Sequence, residues 1–288
     1  MIQSQTPFIR NTSFLKAEIM SKTILITGAT SGIGLETAKK LLHLGHHVIV
    51  HGRSDEKLAD AVTQMKTSSG SDRVDTVSAD LSNLEQVNAM ATAVIERHSR
   101  LDVLINNAGV FNASDPITGD GIDVRFAVNV IAPYLLTRRL LPSLGESGRV
   151  VNLSSAAQAP VNLNALTDMV QLSDNAAYAQ SKLALTMWTS ALAEELGPEG
   201  PVVVAVNPAS LLATKMVNEA FGVPGSDVQK GVDILVRASL SDEFNAASGK
   251  YFDNDRGHFS DPHADALDAS LNREVIKRMD EFLSTHVG

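Results

Sequence analysis

The residues in this chain best suited to moving a proton are Tyr178 and Lys182, in the run Tyr178-Ala179-Gln180-Ser181-Lys182 at the start of a long helical pattern. Spacing of i, i+4 puts both side chains on one helix face, one turn apart. A free phenol titrates near ~10 and is a poor base at neutral pH. A neighbouring ammonium favours the phenolate and pushes that value down. Alone, such a pair is more often a surface feature, so its company decides the reading.

The second feature is Thr27-Gly28-Ala29-Thr30-Ser31-Gly32-Ile33-Gly34, which follows a β-branched run and opens a helical one. Glycines there permit a tight turn, let backbone N–H groups approach a pyrophosphate, and seat the helix against the sheet, with its N-terminus facing the negative charge. The spacing G-x-x-x-G-x-G differs from the G-x-G-x-x-G fingerprint but serves the same physical role. With a dinucleotide in place, the positive charge of an oxidised nicotinamide would add to that of Lys182 in favouring the Tyr178 phenolate. The end of the second strand selects the dinucleotide. An acid at this point grips a ribose 2′-hydroxyl, whereas an arginine accommodates a 2′-phosphate. Here Gly52 stands where the acid would be and Arg53 follows. A planar guanidinium suits a phosphate, which predicts NADP(H) over NAD(H). The alternative is a solvated Arg53 with Asp55 on the ribose.

These residues need a scaffold. Short strands are predicted at Thr23–Thr27, His47–His51, Val74–Ser78, Asp102–Ile105, Arg149–Leu153, Val202–Val206 and Lys250–Phe252. Helical stretches alternate with them near 33–44, 55–67, 83–98, 122–144 and 176–197, with a last one near 271–284. Strand–helix alternation with nearly continuous apolar strands argues for α/β architecture, a doubly wound parallel sheet of about seven strands (a Rossmann fold) with helices on both faces. Residues 22–288 read as a single domain, with excursions at its rim over 156–175 and 209–224, and residues 1–21 read as a flexible extension. Segment 253–268 reads as a polar loop.

Composition narrows the function. The 288 residues carry 24 Lys plus Arg against 33 Asp plus Glu, a formal net charge of -9 that opposes nucleic-acid binding. With no cysteine, thiol catalysis, Cys-zinc sites and iron–sulfur clusters drop out. That absence fits a reducing cytoplasm, the expected location. The apolar runs are strand-sized, so no membrane anchor is expected. No metal is expected either. His46 and His47 adjoin a strand start, where they point to opposite faces, and the cluster of His258, His263 and nearby aspartates fails the calcium-loop pattern. No G-x-S-x-G elbow is present for hydrolysis.

Beyond the glycine loop and Tyr178-x-x-x-Lys182, the chain has Asn106-Asn107-Ala108-Gly109, then Asn129, then Asn152-Leu153-Ser154-Ser155, in that order. Together they resemble the short-chain dehydrogenase/reductase superfamily over about residues 22–252, in the single-domain branch that includes retinol dehydrogenase-like and carbonyl reductase members. The 23 positions from Ser155 to Tyr178 and the run Gly249-Lys250-Tyr251-Phe252 are similar to that branch.

The resemblance implies an oxidoreductase interconverting a carbonyl and an alcohol. Ser155, the second of the paired serines, would hydrogen-bond the substrate oxygen, and Tyr178 would exchange its proton. Lys182 would hold the nicotinamide ribose, and Asn129 would fix a water linking Lys182 to solvent. The cofactor set would be Gly28, Thr30, Ser31, Gly32, Ile33, Gly34, Arg53, Asp80, Leu81, Asn107, Ala108, Gly109, Tyr178, Lys182, Pro208 and Thr214, with Asp80 on the adenine amino group or serving as a helix cap with Ser82. The family commonly has Pro-Gly where this chain has Pro208-Ala209, and alanine lacks glycine's freedom at positive φ. Apolar residues of both rim segments, among them Val161, Leu166, Met169, Met216 and Phe221, suggest an apolar substrate. Homodimers or homotetramers through the long helices are usual in the family and are the expected assembly, although this chain's extra segments could block such contacts. The competing function is a non-catalytic NADP(H)-binding regulator or scaffold, which would have no need of a proton-transfer set.

Overall fold

A computed structural model describes residues 20–214, 216–218, 222 and 224–287, and all structural statements below concern these. The extension expected over 1–21 therefore lies outside the described residues, except for Met20 and Ser21. Eight strands form one sheet in the order β3-β2-β1-β4-β5-β6-β7-β8. They are β1 Thr23–Ile26, β2 His47–Gly52, β3 Val74–Ser78, β4 Val103–Asn106, β5 Arg149–Leu153, β6 Val202–Asn207, β7 Tyr251–Asp253 and β8 His258–Ser260. Neighbours are parallel except β7 and β8, which are antiparallel. The polar segment expected to be a loop thus contains the eighth strand. Phe259 packs on Phe244 and Phe252 there, at ring-centroid distances of 5.2 and 5.1 Å, and so turns a hydrophilic stretch back onto the sheet.

The helices cover both faces. Those named first are α1 Gly32–His43, α2 Asp55–Ser69 and α3 Leu84–Arg97. A longer run, α4, spans residues 124–144 and is followed by α5 Asp174–Leu196, α6 Gln229–Leu240 and α7 Ala269–His286. Side chains at their starts satisfy free backbone N–H groups: Ser54 for α2, Asn83 for α3, Ser173 for α5 and Asp268 for α7. One buried core lies between the sheet and α3, α4, α5 and α7, and the other between the sheet and α1, α2 and α6. No helix among the described residues is long and apolar enough to cross a membrane.

Within α4 the turn Ala127–Ile131 is π-helical, and Ala132 N–H donates to Ala127 O, five residues back. Pro133 explains it. Proline has no N–H for the Asn129 carbonyl, and its ring crowds that carbonyl, so the helix widens one turn earlier. The chain crosses from β3 to the far side of β1 to make β4, which opens a crevice beyond the strand tips at the β1/β4 switch.

Candidate active site

The glycine turn is locked to the end of β4. Thr27 Oγ1 accepts from the backbone N–H of Asn107 and Ala108, each at 3.0 Å, and Asn107 Nδ2 donates to the Thr27 and Gly28 carbonyls at 2.8 and 3.0 Å. A Cβ on Gly28, whose φ is +66°, would fall 2.9 Å from Ala108 Cα, so this approach requires glycine. Ser31 precedes α1, and Leu35 N–H makes the helix's first bond to Ser31 O at 3.3 Å. The N–H groups of residues 32–34 therefore lack intrahelical acceptors and face the crevice. Gly32, at φ +58°, has Thr214 as its neighbour across this opening, with a built Cβ still 3.8 Å from Thr214 Cγ2. Donors without intrahelical partners at a helix start are the kind that hold a pyrophosphate.

A residue overlooked in the sequence completes the turn. His51 is buried at the end of β2, where Nδ1 accepts from Gly28 N–H at 3.1 Å and Nε2 lies 3.0 Å from Ala79 O. Those partners require the neutral tautomer with its proton on Nε2, and burial holds its pKa below the ordinary histidine value. A polar residue closing an otherwise apolar strand, His47-Val48-Ile49-Val50-His51, was the available signal. Beside it, a Cβ on Gly52 would come 2.5 Å from Thr30 Cγ2, so an acid there would have to displace the Thr30 side chain. Arg53 is exposed and makes no ion pair or hydrogen bond among the described residues, and Asp55 lies in the first turn of α2. Asp80 Oδ1 accepts from both N and Oγ of Ser82, at 2.9 and 2.8 Å, and Asn83 rather than Asp80 caps α3. Leu81 is buried in the core.

Across the crevice, Asn106, Asn152 and Thr189 form a buried chain that joins β4, β5 and α5. Asn106 Nδ2 donates to Asn152 Oδ1 at 2.8 Å, and Asn152 Nδ2 donates to Thr189 Oγ1 at 2.8 Å. Ser154 turns inward, its Oγ 2.7 Å from Thr186 Oγ1, which leaves Ser155 facing the opening. Gln158 and Tyr251 fix the Ser155 carbonyl, their donors at 3.0 and 3.1 Å. Lys182 is buried and donates from Nζ to Leu153 O at 2.7 Å, with Nζ 5.7 Å from the Tyr178 ring centre. Asn129, in the π-helical turn, donates to Val110 O and Ser181 Oγ at 3.0 and 2.9 Å and accepts from Val110 N–H at 2.8 Å. A Cβ on Gly109 would lie 3.4 Å from Asn129 Oδ1 and 3.5 Å from Lys182 Nζ, so both groups border it.

Burial pushes the Tyr178 hydroxyl above its ordinary pKa, and its hydrogen bond to Ser155 offsets only part of that. Burial also lowers Lys182 to about 8. The lowering of Tyr178 by Lys182 expected from the spacing is therefore not seen in the free chain. The ammonium is directed at a carbonyl and lies over the ring rather than against the phenol oxygen, so desolvation dominates. Phe111 packs on Tyr178, ring centroids 4.8 Å apart. Its carbonyl accepts from Arg125 at 3.5 Å; this buried guanidinium also pairs with Asp123 at 2.5 Å and with Asp174, the first residue of α5.

The rim segments divide. Leu166, which ends the short 3₁₀ turn Leu163–Leu166, sits in the core, Met169 is exposed, and Met216 reaches toward Gly109. Phe221 lies outside the described residues. Pro208 is half-buried, and Ala209 does adopt positive φ, at +120°, so the turn expected to differ keeps a conformation that suits glycine. The excursion and α7 enclose the far side of α5, where Tyr134 Oη donates to Asp280 Oδ1 at 2.8 Å.

Comparison with known proteins agrees with this geometry. Retinol dehydrogenase 13 from Homo sapiens is 31% identical over 286 residues, covering 92% of this chain and 84% of its own length. Among solved structures, an uncharacterized protein from Mycobacterium Paratuberculosis superposes with a TM-score of 0.75 at 28% identity, covering 91% of this chain and 93% of that one. A chain from Shigella flexneri 2a, described as a short chain dehydrogenase complexed with NADP, gives 0.64 at 28% identity and covers 81% and 97% of the two chains. The profile of the family described as short chain dehydrogenase matches residues 22–222, and with that match the chain belongs to the short-chain dehydrogenases, a carbonyl/alcohol oxidoreductase of Rossmann fold.

Proposed function

We propose that the chain is an NADP(H)-preferring oxidoreductase that interconverts an apolar aldehyde or ketone with its alcohol, using Tyr178 as the acid and base. The observation that carries this is the convergence of Ser155, Tyr178 and Lys182 at the tips of β4 and β5, facing a glycine turn with free N–H donors. The nicotinamide cofactor, when bound, supplies or accepts the hydride. Gly28, Thr30, Ser31, Gly32, Ile33 and Gly34 bind the pyrophosphate through the turn and the start of α1. Asp80, Leu81, Asn107, Ala108 and Gly109 line the adenine side, and Pro208 and Thr214 lie toward the carboxamide.

Tyr178 passes its hydroxyl proton to a carbonyl oxygen in reduction and removes it in oxidation, while the Ser155 hydroxyl donates a hydrogen bond to that oxygen and stabilises the charge developing there. Lys182 binds the ribose and keeps a positive charge beside the phenol. Asn129 positions Val110 and Ser181 and, through the gap at Gly109, borders Lys182. Arg53 selects the 2′-phosphate, and the NADP complex of the Shigella flexneri relative supports that preference. That the human relative is a retinol dehydrogenase favours an apolar substrate. Association of two copies through α4 and α5 would require a face that α7 leaves free.

A panel of carbonyl compounds followed by NADPH absorbance tests the reading. Turnover of long-chain or aromatic aldehydes ahead of small polar sugars is expected. NADPH binding with no turnover of any carbonyl would favour a regulator or scaffold instead.

A further inference from the structure

His47, Asp75 and His98 come from separate elements to one point at the edge of the sheet. His47 and Ile49 alternate onto the same face of β2, Asp75 pairs with Ile49 across β3, and His98 ends α3, which covers that face. His47 Nε2 lies 2.9 Å from Asp75 Oδ2, His98 Nε2 lies 3.6 Å from the same oxygen, and the three atoms are all within 4.8 Å of one another. The adjacent His46 points away and accepts Lys22 N–H, as the alternation along β2 requires. Spacing along the sequence could not reveal this group, because its second imidazole arrives only when α3 packs down.

We propose that His47, Asp75 and His98 form a binding site for one divalent transition-metal ion of the Zn²⁺ class. An ion about 2.1 Å from Asp75 Oδ2 and from each imidazole would see the two closer pairs at angles of about 90° and about 120°, within the span of tetrahedral and five-coordinate zinc, and requires the two Nε2 atoms to stand within about 4.2 Å, inside the 4.8 Å that bounds the group. Two imidazoles and one carboxylate select such an ion over Mg²⁺ and Ca²⁺, which require sets built of oxygen. His98 is nearly enclosed, at 12% side-chain exposure, whereas His47 and Asp75 are 30% and 49% exposed. The inner ligand is thus fixed by packing, and the open side admits ion and water. Ligation uses the Nε2 lone pair of each ring, so each neutral ring carries its one proton on Nδ1: the proton His47 shares with Asp75 passes from Nε2 to solvent as Nδ1 takes one up, and Asp75 binds as the carboxylate. The neighbouring cations are engaged elsewhere: Arg97 donates to Thr76 O at 3.4 Å, and Arg73 to Ser21 Oγ and Gly45 O at 3.2 and 3.1 Å. A bound ion would tie β2, β3 and the end of α3 together, away from the glycine turn, and so stabilise the folded chain without taking part in turnover.

The test uses the full chain without a histidine tag, stripped with chelator and titrated calorimetrically with Zn²⁺, then with Co²⁺ as a spectroscopic probe. One equivalent of Zn²⁺ binding with micromolar Kd, visible Co²⁺ bands and a Tm raised by several degrees are expected, with no response to Mg²⁺. His47→Gln and His98→Gln, at partly exposed or rim positions, should keep the far-UV spectrum and each weaken Zn²⁺ at least tenfold. Wild-type Kd above about 1 mM, or equal Zn²⁺ binding by the wild type and the His47→Gln/His98→Gln double variant, would overturn the proposal. None of these readouts depends on carbonyl turnover.

Discussion

Lys182 Nζ donates to the Leu153 carbonyl at 2.7 Å while it stands 5.7 Å from the centre of the Tyr178 ring. The chain thereby keeps an ammonium in a buried place, at a cost that burial expresses by lowering its pKa to about 8. Unfolded, the same lysine stays protonated to about 10.4. Below pH 8 the folded state carries the full penalty, about 3 kcal/mol at one pKa unit per 1.36 kcal/mol. Between the two values the unfolded chain binds more protons, so stability rises with pH. Lys182→Met should abolish turnover yet raise unfolding stability at pH 7 by roughly 1–2 kcal/mol once the orphaned Leu153 carbonyl is counted. Its advantage over the wild type should shrink toward pH 10. Chemical denaturation at both pH values checks this; equal stabilities at pH 7 would contradict the buried charge.

His51 makes cofactor affinity sensitive to acid. Its folded pKa lies below 6.5, so its contribution is intact above that value and is lost as pH falls through the folded one, when Nδ1 gains a proton that opposes Gly28 N–H. His51→Phe, which leaves the Gly28 N–H without its partner, should weaken NADPH about tenfold at pH 7.5, the cost of one such lost bond. Fluorescence titration of NADPH reads both effects. An unchanged Kd would remove His51 from the support of the turn.

Arg53 is exposed at the tip of β2, beside a glycine whose added Cβ would crowd Thr30. Arg53→Ala should raise the NADPH Kd tenfold or more, the worth of a charge-assisted phosphate contact, and leave NADH within twofold. Equal losses for both nucleotides would overturn the cofactor preference.

Ala209 holds φ +120°, where an L side chain is strained and glycine is not. Ala209→Gly should stabilise the fold by about 1 kcal/mol despite glycine's greater freedom in the unfolded chain. A thermal melt checks the direction, and a lower Tm would show that the turn is relaxed with alanine.

Much of this was legible in the sequence because its signals are local. Gly28, Gly32 and Gly34 report a turn whose geometry admits little else, and Tyr178 with Lys182 needs only a helix to face one way. What escaped depends on residues that meet through the fold. His51 acquires its role only when β1, β2 and β3 lie side by side, and Arg125 only when Phe111, Asp123 and Asp174 converge on it. The eighth strand was hidden by its acidic flanks, since pairing with β7 and the Phe259 contact override a polar composition. The lowering of Tyr178 expected beside Lys182 is absent in the free chain for a related reason. Spacing places the ammonium near the ring, but only the fold shows that it turns to Leu153.

The central claim is that the Tyr178 hydroxyl carries the proton. Single-turnover reduction of an accepted aldehyde by Tyr178→Phe, with NADPH affinity measured on the same sample, tests it directly. The account predicts a rate reduced by at least a thousandfold, within the combined reach of acid catalysis and oxyanion stabilisation, with the NADPH Kd within threefold of wild type. A rate within tenfold of wild type would contradict it.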